Sequence, residues 1–296
     1  MFSYYAMKAL SFLICLLPHS AAMAFGEGLA WLAWNFIPSR RKVLAKEQVT
    51  RCLGVSDAEA ERIARASSLR FGPMLMEVLR FPVMHPRMSA YVTLTGAVEE
   101  LRTAVADGRG AIFATSHSGN WELMGGAFAS AGFPVVGVAK RQSSAGMDRF
   151  INEYRTLVGM HVTYRSGVRE VFRMIDEGWI IGLISDQDPS LRDGVIIDFF
   201  GQPTNAFTGA AAIARRCGVP IFPVFIHRES NGHHTVTVEQ GIMVEKTDDR
   251  AADVRRVTQT VSTHIENWIR RYPEEWFWLH DRWKSLREKA DEKSEP

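Results

Sequence analysis

The chain has 296 residues, of which 46% are hydrophobic and 23% charged, and its net charge at neutral pH is +2. This length and apolar content allow a substantial buried core and argue against bulk disorder. The near-neutral charge disfavours a dedicated nucleic-acid binder. Three widely spaced cysteines, Cys15, Cys52 and Cys217, form neither a disulfide framework nor a zinc template, and they suit a reducing compartment.

Hydrophobic residues are concentrated at the start of the chain, in residues 9–37. A cleaved secretory signal is one interpretation, because a small-x-small site follows a short apolar run. A transmembrane helix is a second, although Pro18, His19 and Glu27 interrupt the required length. A bent helical anchor lying in one leaflet is a third, and a buried core helix is the fourth.

The anchor interpretation fits the residues that flank this stretch. Trp31 and Trp34 are suited to a bilayer interface, and the basic residues 40–42 are suited to anionic headgroups. We therefore predict a membrane anchor over residues 1–42 and a single α/β domain over residues 43–296.

The domain itself alternates between strand and helix patterns. Ser56 is placed to cap a helix that runs to about residue 69, and residues 74–95 are helical or irregular. The pattern then predicts helix 98–107, strand 111–115, helix 120–131, strand 134–138, helix 146–158, strand 161–164, helix 167–177, strand 179–185, strand 195–199, helix 206–216, strand 220–226, strand 234–239 and helix 252–271. This alternation predicts an α/β fold with a largely parallel mixed sheet flanked by helices.

A candidate catalytic pair follows the strand at 111–115, in the segment His117-Ser-Gly-Asn-Trp-Glu122. Asn120 is a good helix cap, which puts Glu122 in the first helical turn. We expect the turn to bring Glu122 back to the His117 ring, where a carboxylate stabilises an imidazolium and leaves the other nitrogen as general base. Gly119 gives the backbone room to turn and a substrate room to approach. The spacing alone equally suits a structural cap and a satisfied histidine.

Charged and polar side chains follow three further predicted strands. Lys140 and Arg141 follow strand 134–138, Arg165 follows strand 161–164, and Asp186-Gln187 follows strand 179–185. Because the carboxyl ends of parallel strands share one edge of a sheet, we expect these groups to surround His117 and bind substrate. Solvated loop charges are the competing interpretation for each residue.

Other kinds of site are disfavoured. Ser118 lacks a nucleophile elbow, no phosphate-binding glycine motif is present, and His233-His234 is too isolated for a metal site. The sequence therefore predicts no cofactor and no metal.

Several motifs in order resemble those of the bacterial late lipid A acyltransferases. They are His117–Glu122, Asp186-Gln187, Phe199-Phe200-Gly201 with Thr204, Thr208-Gly209, and the closing Trp-x-Trp-x-His-x-Arg-Trp-Lys at 276–284. The resemblance spans essentially the whole chain, and the mycobacterial phosphatidylinositol-mannoside acyltransferases look similar.

This resemblance implies a glycerolipid-acyltransferase-like fold and an enzyme on the cytoplasmic face of the inner membrane. Such an enzyme moves a fatty acyl group from acyl carrier protein to a hydroxyl of a lipid A precursor, without a covalent acyl-enzyme. The resemblance also implies that His117 is the general base, that Glu122 is its partner, and that Arg141 contacts the acceptor or the transition state. Four alternatives stay open: another glycolipid acceptor, a lysophospholipid acceptor, an exported hydrolase, and a membrane-tethered scaffold without chemistry.

Overall fold

The computed structural model describes residues 1–164 and 167–294. Its strands are β1 (Val92–Gly96), β2 (Ala111–Thr115), β3 (Val135–Ala139), β4 (His161–Tyr164), β5 (Ile180–Ile184), β6 (Gly194–Phe199), β7 (Gln202–Phe207), β8 (Ile221–Arg228) and β9 (His234–Val238). Within the described residues, seven strands form one sheet in the order β1-β9-β8-β2-β5-β3-β4. Neighbouring strands run parallel except β8 and β9, so the predicted α/β fold with a largely parallel sheet is confirmed.

The helices flank this sheet and precede it. They are α1 (Phe2–Leu16), α2 (His19–Phe36), α3 (Ser39–Leu53), α4 (Asp57–Leu69), α5 (Phe71–Leu79), α6 (Phe81–Met84), α7 (Val98–Ala106), α8 (Trp121–Ser130), α9 (Ala145–Leu157), α10 (Val168–Asp176), α11 (Gly209–Cys217), α12 (Arg250–Arg271) and α13 (Lys284–Ser294). Short 3-10 helices cover His85–Ala90 and Pro273–Glu275. The Ser56 hydroxyl caps α4 by accepting from the Glu59 amide, as predicted.

One predicted helix begins too early. Residues 202–207 pair with β6 in an antiparallel hairpin, and the helix predicted from residue 206 begins at Gly209. The hairpin turns at Phe200 and Gly201, which both have positive φ. Gly201 adopts this conformation without steric cost, which lets the chain reverse after two residues.

The sheet separates two hydrophobic clusters. Phe113 and Ile180 face a cluster built with α1, α2, α5, α8 and α9. Ile112 and Ile181 face the cluster built with α3, α4, α10, α11 and α12. Because β2 is buried on both faces, its sequence is a continuous apolar run rather than an alternating one.

The two N-terminal helices bury their inner sides in the first of these clusters, through residues such as Tyr4, Ile14 and Met23. α2 crosses α5 closely, since a Cβ atom on Gly72 would lie 2.0 Å from the Gly26 carbonyl oxygen. The domain boundary at residue 42 stays a prediction. Among the helices that the structure describes, none is long and apolar enough to cross a membrane.

Candidate active site

Two strand ends bring His117 and Asp186 together. The central strands β2 and β5 pair in parallel with Thr115 opposite Ile184, and each side chain follows its strand by two residues. His117 Nδ1 lies 2.8 Å from Asp186 Oδ1, and the His117 main-chain N–H donates to Asp186 Oδ2 over 2.8 Å. The matched register of the two strands therefore sets this pair.

The Asp186 carboxylate is only 3% exposed and also accepts a 2.7 Å hydrogen bond from the Trp276 indole. Burial alone would raise the pKa of this carboxyl. The electrostatic interaction with the His117 ring and the hydrogen bonds from His117 and Trp276 all lower the pKa. Together they outweigh burial, and the pKa falls from 3.8 to about 2. A charged carboxylate only accepts hydrogen bonds, so it holds the proton of the His117 ring on Nδ1.

The opposite edge of the His117 ring, which carries Nε2, faces a cleft. Its Nε2 lies 3.5 Å from the Gln187 side-chain nitrogen, and both residues line this cleft. The cleft has a volume of about 450 Å³. Its lining residues are His117, Trp121, Val138, Ala139, Lys140, Gln142, Arg155, Leu183, Ile184, Ser185, Gln187, Phe207, Gly209 and Ala210.

Glu122 has a different partner from the one predicted. Its carboxylate accepts from Arg155 Nε at 2.8 Å and from Arg155 Nη2 at 2.5 Å. Asn120 caps α8 by accepting from the Leu123 amide at 3.0 Å, so Glu122 enters the first helical turn and reaches α9. The carboxylate that hydrogen-bonds to the histidine ring is that of Asp186, which corrects the predicted pairing.

Gly119 is required by the backbone at this turn. Its φ is +58°, and a Cβ atom there would lie 2.4 Å from the Ile226 carbonyl oxygen. Its N–H donates to the Glu275 carbonyl at 3.0 Å, and the Phe277 N–H donates to the His117 carbonyl at 3.1 Å. These two hydrogen bonds fix the turn to the Trp-rich segment near the C-terminus. The Gly119 N–H is used in one of them.

Of the predicted cationic residues, the structure describes Lys140 and Arg141. Lys140 lines it and is exposed. Arg141 is exposed as well, and its guanidinium lies 4.5 Å from the centre of the Tyr164 ring. Arg165 lies outside the described residues. Lys140 therefore joins His117 and Gln187 at the cleft, and Arg141 lies beside it in sequence.

Two residues of the site were missed by sequence reasoning. Arg155 lines the cleft from the last turn of α9, and Trp276 donates to Asp186 from the C-terminal segment. Trp276 belongs to a motif of the resemblance, which marks the segment without giving its contact. Arg155 belongs to no motif and follows no strand, so the sequence carried no signal for it.

The described parts of the chain contain no group of three or more His, Cys, Asp or Glu residues arranged to hold a metal ion. A histidine oriented by a buried carboxylate at the edge of a cleft is the arrangement of a general acid–base catalyst. The fold places it where ligands of parallel α/β sheets bind, beyond the carboxyl ends of the strands.

The chain belongs to the bacterial lipid A biosynthesis acyltransferase family, whose sequence model matches residues 1–285. This confirms the resemblance and establishes an acyltransferase. A phosphatidylinositol mannoside acyltransferase of Mycolicibacterium smegmatis is 29% identical over 280 residues, which cover 92% of this chain and 88% of that protein. One from Mycobacterium tuberculosis is 28% identical over 269 residues, 88% of this chain and 81% of that protein. A lipid A biosynthesis lauroyltransferase of Escherichia coli is 22% identical over 274 residues, 92% of this chain and 88% of that protein.

Proposed function

We propose that the protein is a membrane-associated O-acyltransferase that moves a fatty acyl group from acyl carrier protein to a hydroxyl of a glycolipid. The observation that carries this proposal is the His117 ring, held by the buried Asp186 carboxylate at the edge of the cleft. The family membership supplies the reaction class. The donor, the acceptor and the roles of the residues are our inference.

The reaction proceeds by direct transfer. His117 takes the hydroxyl proton of the acceptor on Nε2 as the hydroxyl oxygen attacks the thioester carbonyl carbon. The Asp186 carboxylate, bonded to Nδ1, stabilises the imidazolium that forms. The tetrahedral intermediate then collapses with cleavage of the carbon–sulfur bond, and the departing thiolate receives the proton from Nε2. An acyl ester and a free thiol result, and no residue is acylated.

Arg155 has the position and the charge to stabilise the oxyanion of this intermediate. Its guanidinium lines the cleft together with His117, and Glu122 holds it by two hydrogen bonds. A planar guanidinium fixed in this way is preorganised, which is what makes electrostatic stabilisation of a transition state effective. Glu122 in this scheme orients Arg155 rather than the histidine.

An acidic carrier protein has basic residues to approach near the cleft. Lys140 at the cleft and Arg141 next to it are both exposed. Several other arginines already have acidic partners: Arg215 and Arg256 bind Asp253, and Arg270 binds Glu266. The mouth of the cleft is therefore the better surface for a carrier that delivers its thioester there.

Exposed apolar side chains support membrane association. Phe25, Leu29, Leu32 and Phe36 recur at helical spacing along α2, and all four are exposed. α1 adds further exposed side chains, namely Phe2, Tyr5, Phe12, Leu13 and Leu16. An apolar surface of this kind, followed by the basic residues 40–42, is typical of helices that lie in a bilayer interface.

An apolar groove of about 300 Å³ lies between α2 and α5 and suits a lipid chain. Leu29 and Trp34 line one side, and Phe71 lines the other. The Phe71 ring lies 6.2 Å from the Trp121 ring, which lies 5.1 Å from the His117 ring. This path would let a chain of the acceptor lipid reach from the interface towards the base.

The site needs a cytosolic carrier, so we place the enzyme on the cytoplasmic face of the inner membrane. The three cysteines Cys15, Cys52 and Cys217 are free thiols, which agrees with a reducing compartment. A lipid A precursor is the first candidate acceptor, on the family model. A phosphatidylinositol-mannoside-like glycolipid is the second, because two such acyltransferases are 28–29% identical to this chain, against 22% for the lauroyltransferase.

The decisive experiment uses the purified full-length protein in mixed micelles with acyl-loaded carrier protein. A lipid A precursor and a phosphatidylinositol mannoside are offered in parallel, and the products are weighed by mass spectrometry. We expect one acceptor to gain a single acyl mass, and His117→Ala to lower turnover by at least about a hundredfold.

His161→Ala is the matched control. His161 is the exposed first residue of β4, whereas the site lies beyond the last residues of the strands, so this substitution should leave turnover unchanged. Full activity of His117→Ala would overturn the mechanism. Release of free fatty acid alone would identify a hydrolase. Binding of lipid and carrier without any transfer would identify a scaffold.

A further inference from the structure

A buried carboxylate contacts the turn that carries the candidate base. We call residues 117–122 the catalytic turn. Glu77 in α5 is 1% exposed, and its Oε2 accepts a 2.8 Å hydrogen bond from Asn120 Nδ2. Its Oε1 accepts from Arg228 and lies 2.8 Å from His234 Nε2. One side chain thus joins a helix, two neighbouring strands and the catalytic turn.

Glu77 is charged in this setting. Burial by itself would raise the pKa of its carboxyl, but the hydrogen bond and charge of His234, the charge of Arg228 and the Asn120 amide together lower that pKa. Hydrogen bonds to a buried ion are short and directional, because the surroundings screen them little. The carboxylate is therefore a rigid support.

Both polar atoms of the Asn120 side-chain amide are hydrogen-bonded. Its Nδ2 donates to Glu77, and its Oδ1 accepts from the Leu123 amide, which caps α8. A carboxylate only accepts hydrogen bonds, so Glu77 selects the amide orientation that presents Oδ1 to the helix. The start of α8 follows from that choice. His117 lies on one side of Asn120 in the catalytic turn, and Glu122 lies on the other.

We propose that Glu77 is a positioning residue for acyl transfer, which fixes the catalytic turn through Asn120 without touching substrate. The proposal rests on the proposed function, since the turn matters for turnover only if His117 is the base. A displacement of about 1 Å in a catalytic group lowers turnover by about a hundredfold. The loss should fall on kcat, because Glu77 has no contact with the cleft.

The C-terminal end of α5 also supports the two N-terminal helices, α1 and α2. Arg80, directly after α5, is 5% exposed and donates to the Ile14 carbonyl at 2.7 Å and to the Leu17 carbonyl at 2.6 Å. These carbonyls lie at the bend between α1 and α2. One turn of chain thus holds both the bend of the apolar helices and the catalytic turn, which keeps the base at a fixed place relative to the apolar surface.

The sharpest test exchanges the donor and the acceptor. Glu77→Gln removes the charge, and Asn120→Asp sets a second carboxylate against Glu77 while keeping the cap on α8. The double variant Glu77→Gln/Asn120→Asp restores one donor facing one acceptor. Asn120→Ser keeps a cap and loses the contact, and it serves if the other single variants fail to fold. Asp253→Asn is the matched control, because Asp253 in α12 is a buried carboxylate paired with Arg215 of α11 and Arg256 of α12.

Two readouts are taken on the full chain in micelles: kcat and KM for acyl transfer, and amide hydrogen exchange of a peptide over residues 117–124. We expect each single variant at Glu77 or Asn120 to lower kcat by about tenfold to a hundredfold. KM should stay within about twofold, and exchange in the turn should become faster. The double variant should recover kcat and slow exchange relative to both Glu77→Gln and Asn120→Asp.

Wild-type kcat and slow exchange in Glu77→Gln would overturn the proposal. So would a double variant that recovers neither readout, or an equal loss of kcat in Asp253→Asn. If the unmodified protein transfers no acyl group, the proposed function fails, and the exchange data still decide whether Glu77 holds the turn.

Discussion

Glu122 and Arg155 form a two-point ion pair between α8 and α9, with both side chains largely buried. Burial alone would lower the pKa of the Arg155 guanidinium, but the hydrogen bonds and charge of Glu122 raise it above its ordinary value. The arginine therefore stays charged beside the cleft. This relationship gives the acidic residue of the His117–Glu122 motif a role that does not depend on contact with the ring.

Replacing the arginine tests that role. Arg155→Lys keeps the positive charge but loses the two-point geometry, so we expect kcat to fall by about tenfold to a hundredfold with little change in KM. Glu122→Gln should lower the free energy of unfolding by about 3 kcal/mol, because it leaves a buried guanidinium without its counter-ion. Steady-state kinetics and thermal unfolding measure the two effects.

The exposed pair of Arg173, in the last turn of α10, and Glu177, directly after that helix, supplies the control. Arg173→Lys should change neither kcat nor stability appreciably, since surface ion pairs contribute little. Wild-type kcat in Arg155→Lys would show that the guanidinium is only a structural partner of Glu122.

Asp186→Asn tests the orientation of the base. An asparagine is nearly the same shape, but its amide can present a donor to Nδ1 and favour the wrong tautomer of His117. We expect kcat to fall by about a thousandfold while KM changes little. Trp276→Phe removes one hydrogen bond to the carboxylate and should cost far less. Equal activity of Asp186→Asn and the unmodified enzyme would rule out the proposed role.

The same carboxylate predicts a pH dependence of stability. The pKa of Asp186 is about 2 in the folded chain and 3.8 ordinarily, so the folded state favours the ionised form. The stability that this provides is fully present above about pH 4 and is lost as the pH falls towards 2. The stability difference between the wild type and Asp186→Asn should therefore shrink as the pH falls from about 4 towards 2. Thermal unfolding of both proteins across this range measures it, and a constant difference down to pH 3 would contradict it.

The sequence predicted the edge of the sheet at which the site lies, but the identity of the partner residue needed the strand order. Lys140, Asp186 and His117 each follow a predicted strand, and parallel strands end at one edge. The sheet places β5 between β2 and β3, although β3 comes sooner in the chain. That crossover brings Asp186 to the ring. Local patterns carry no information on such long-range order.

The rest of the site depends on packing that has no local signature. Arg155 lines the cleft and binds Glu122 of α8, but its neighbours in sequence form an ordinary amphipathic helix. Glu77 is an acid inside an otherwise apolar helix, and only the fold shows that Arg228 and His234 surround it. Buried charges of this kind are explained by their partners, which lie about 150 residues away in the chain.

Gly119→Ala should disturb the catalytic turn more than an ordinary substitution of a glycine with positive φ. The added Cβ atom would approach the Ile226 carbonyl oxygen to 2.4 Å in addition to the backbone strain. Gly54→Ala is the matched control, because Gly54 has φ +66° with open space around it. We expect both to lose about 1 kcal/mol from strain, and Gly119→Ala alone to lose further stability and at least about tenfold in kcat. Indistinguishable unfolding and kinetics of the two variants would refute this expectation.

The exposed stripe of α2 should govern binding to lipid vesicles. Burial of each large apolar side chain in the interface contributes about 1.5 kcal/mol or more. Phe25→Ser/Leu32→Ser/Phe36→Ser should therefore weaken vesicle binding by about a thousandfold in a sedimentation assay. The protein should keep its thermal stability in micelles, because these side chains are exposed in the fold.

Two exposed apolar residues elsewhere provide the comparison for this triple variant. Ile196 and Met243 lie outside the N-terminal helices, and Ile196→Ser/Met243→Ser should leave vesicle binding unchanged. Binding of the unmodified protein should also weaken with salt on anionic vesicles and not on neutral ones, since Arg40 and Arg41 follow the stripe. Equal losses in the two multiple variants would mean that α2 has no special part in membrane binding, and the apolar stripe would then need a protein partner to cover it.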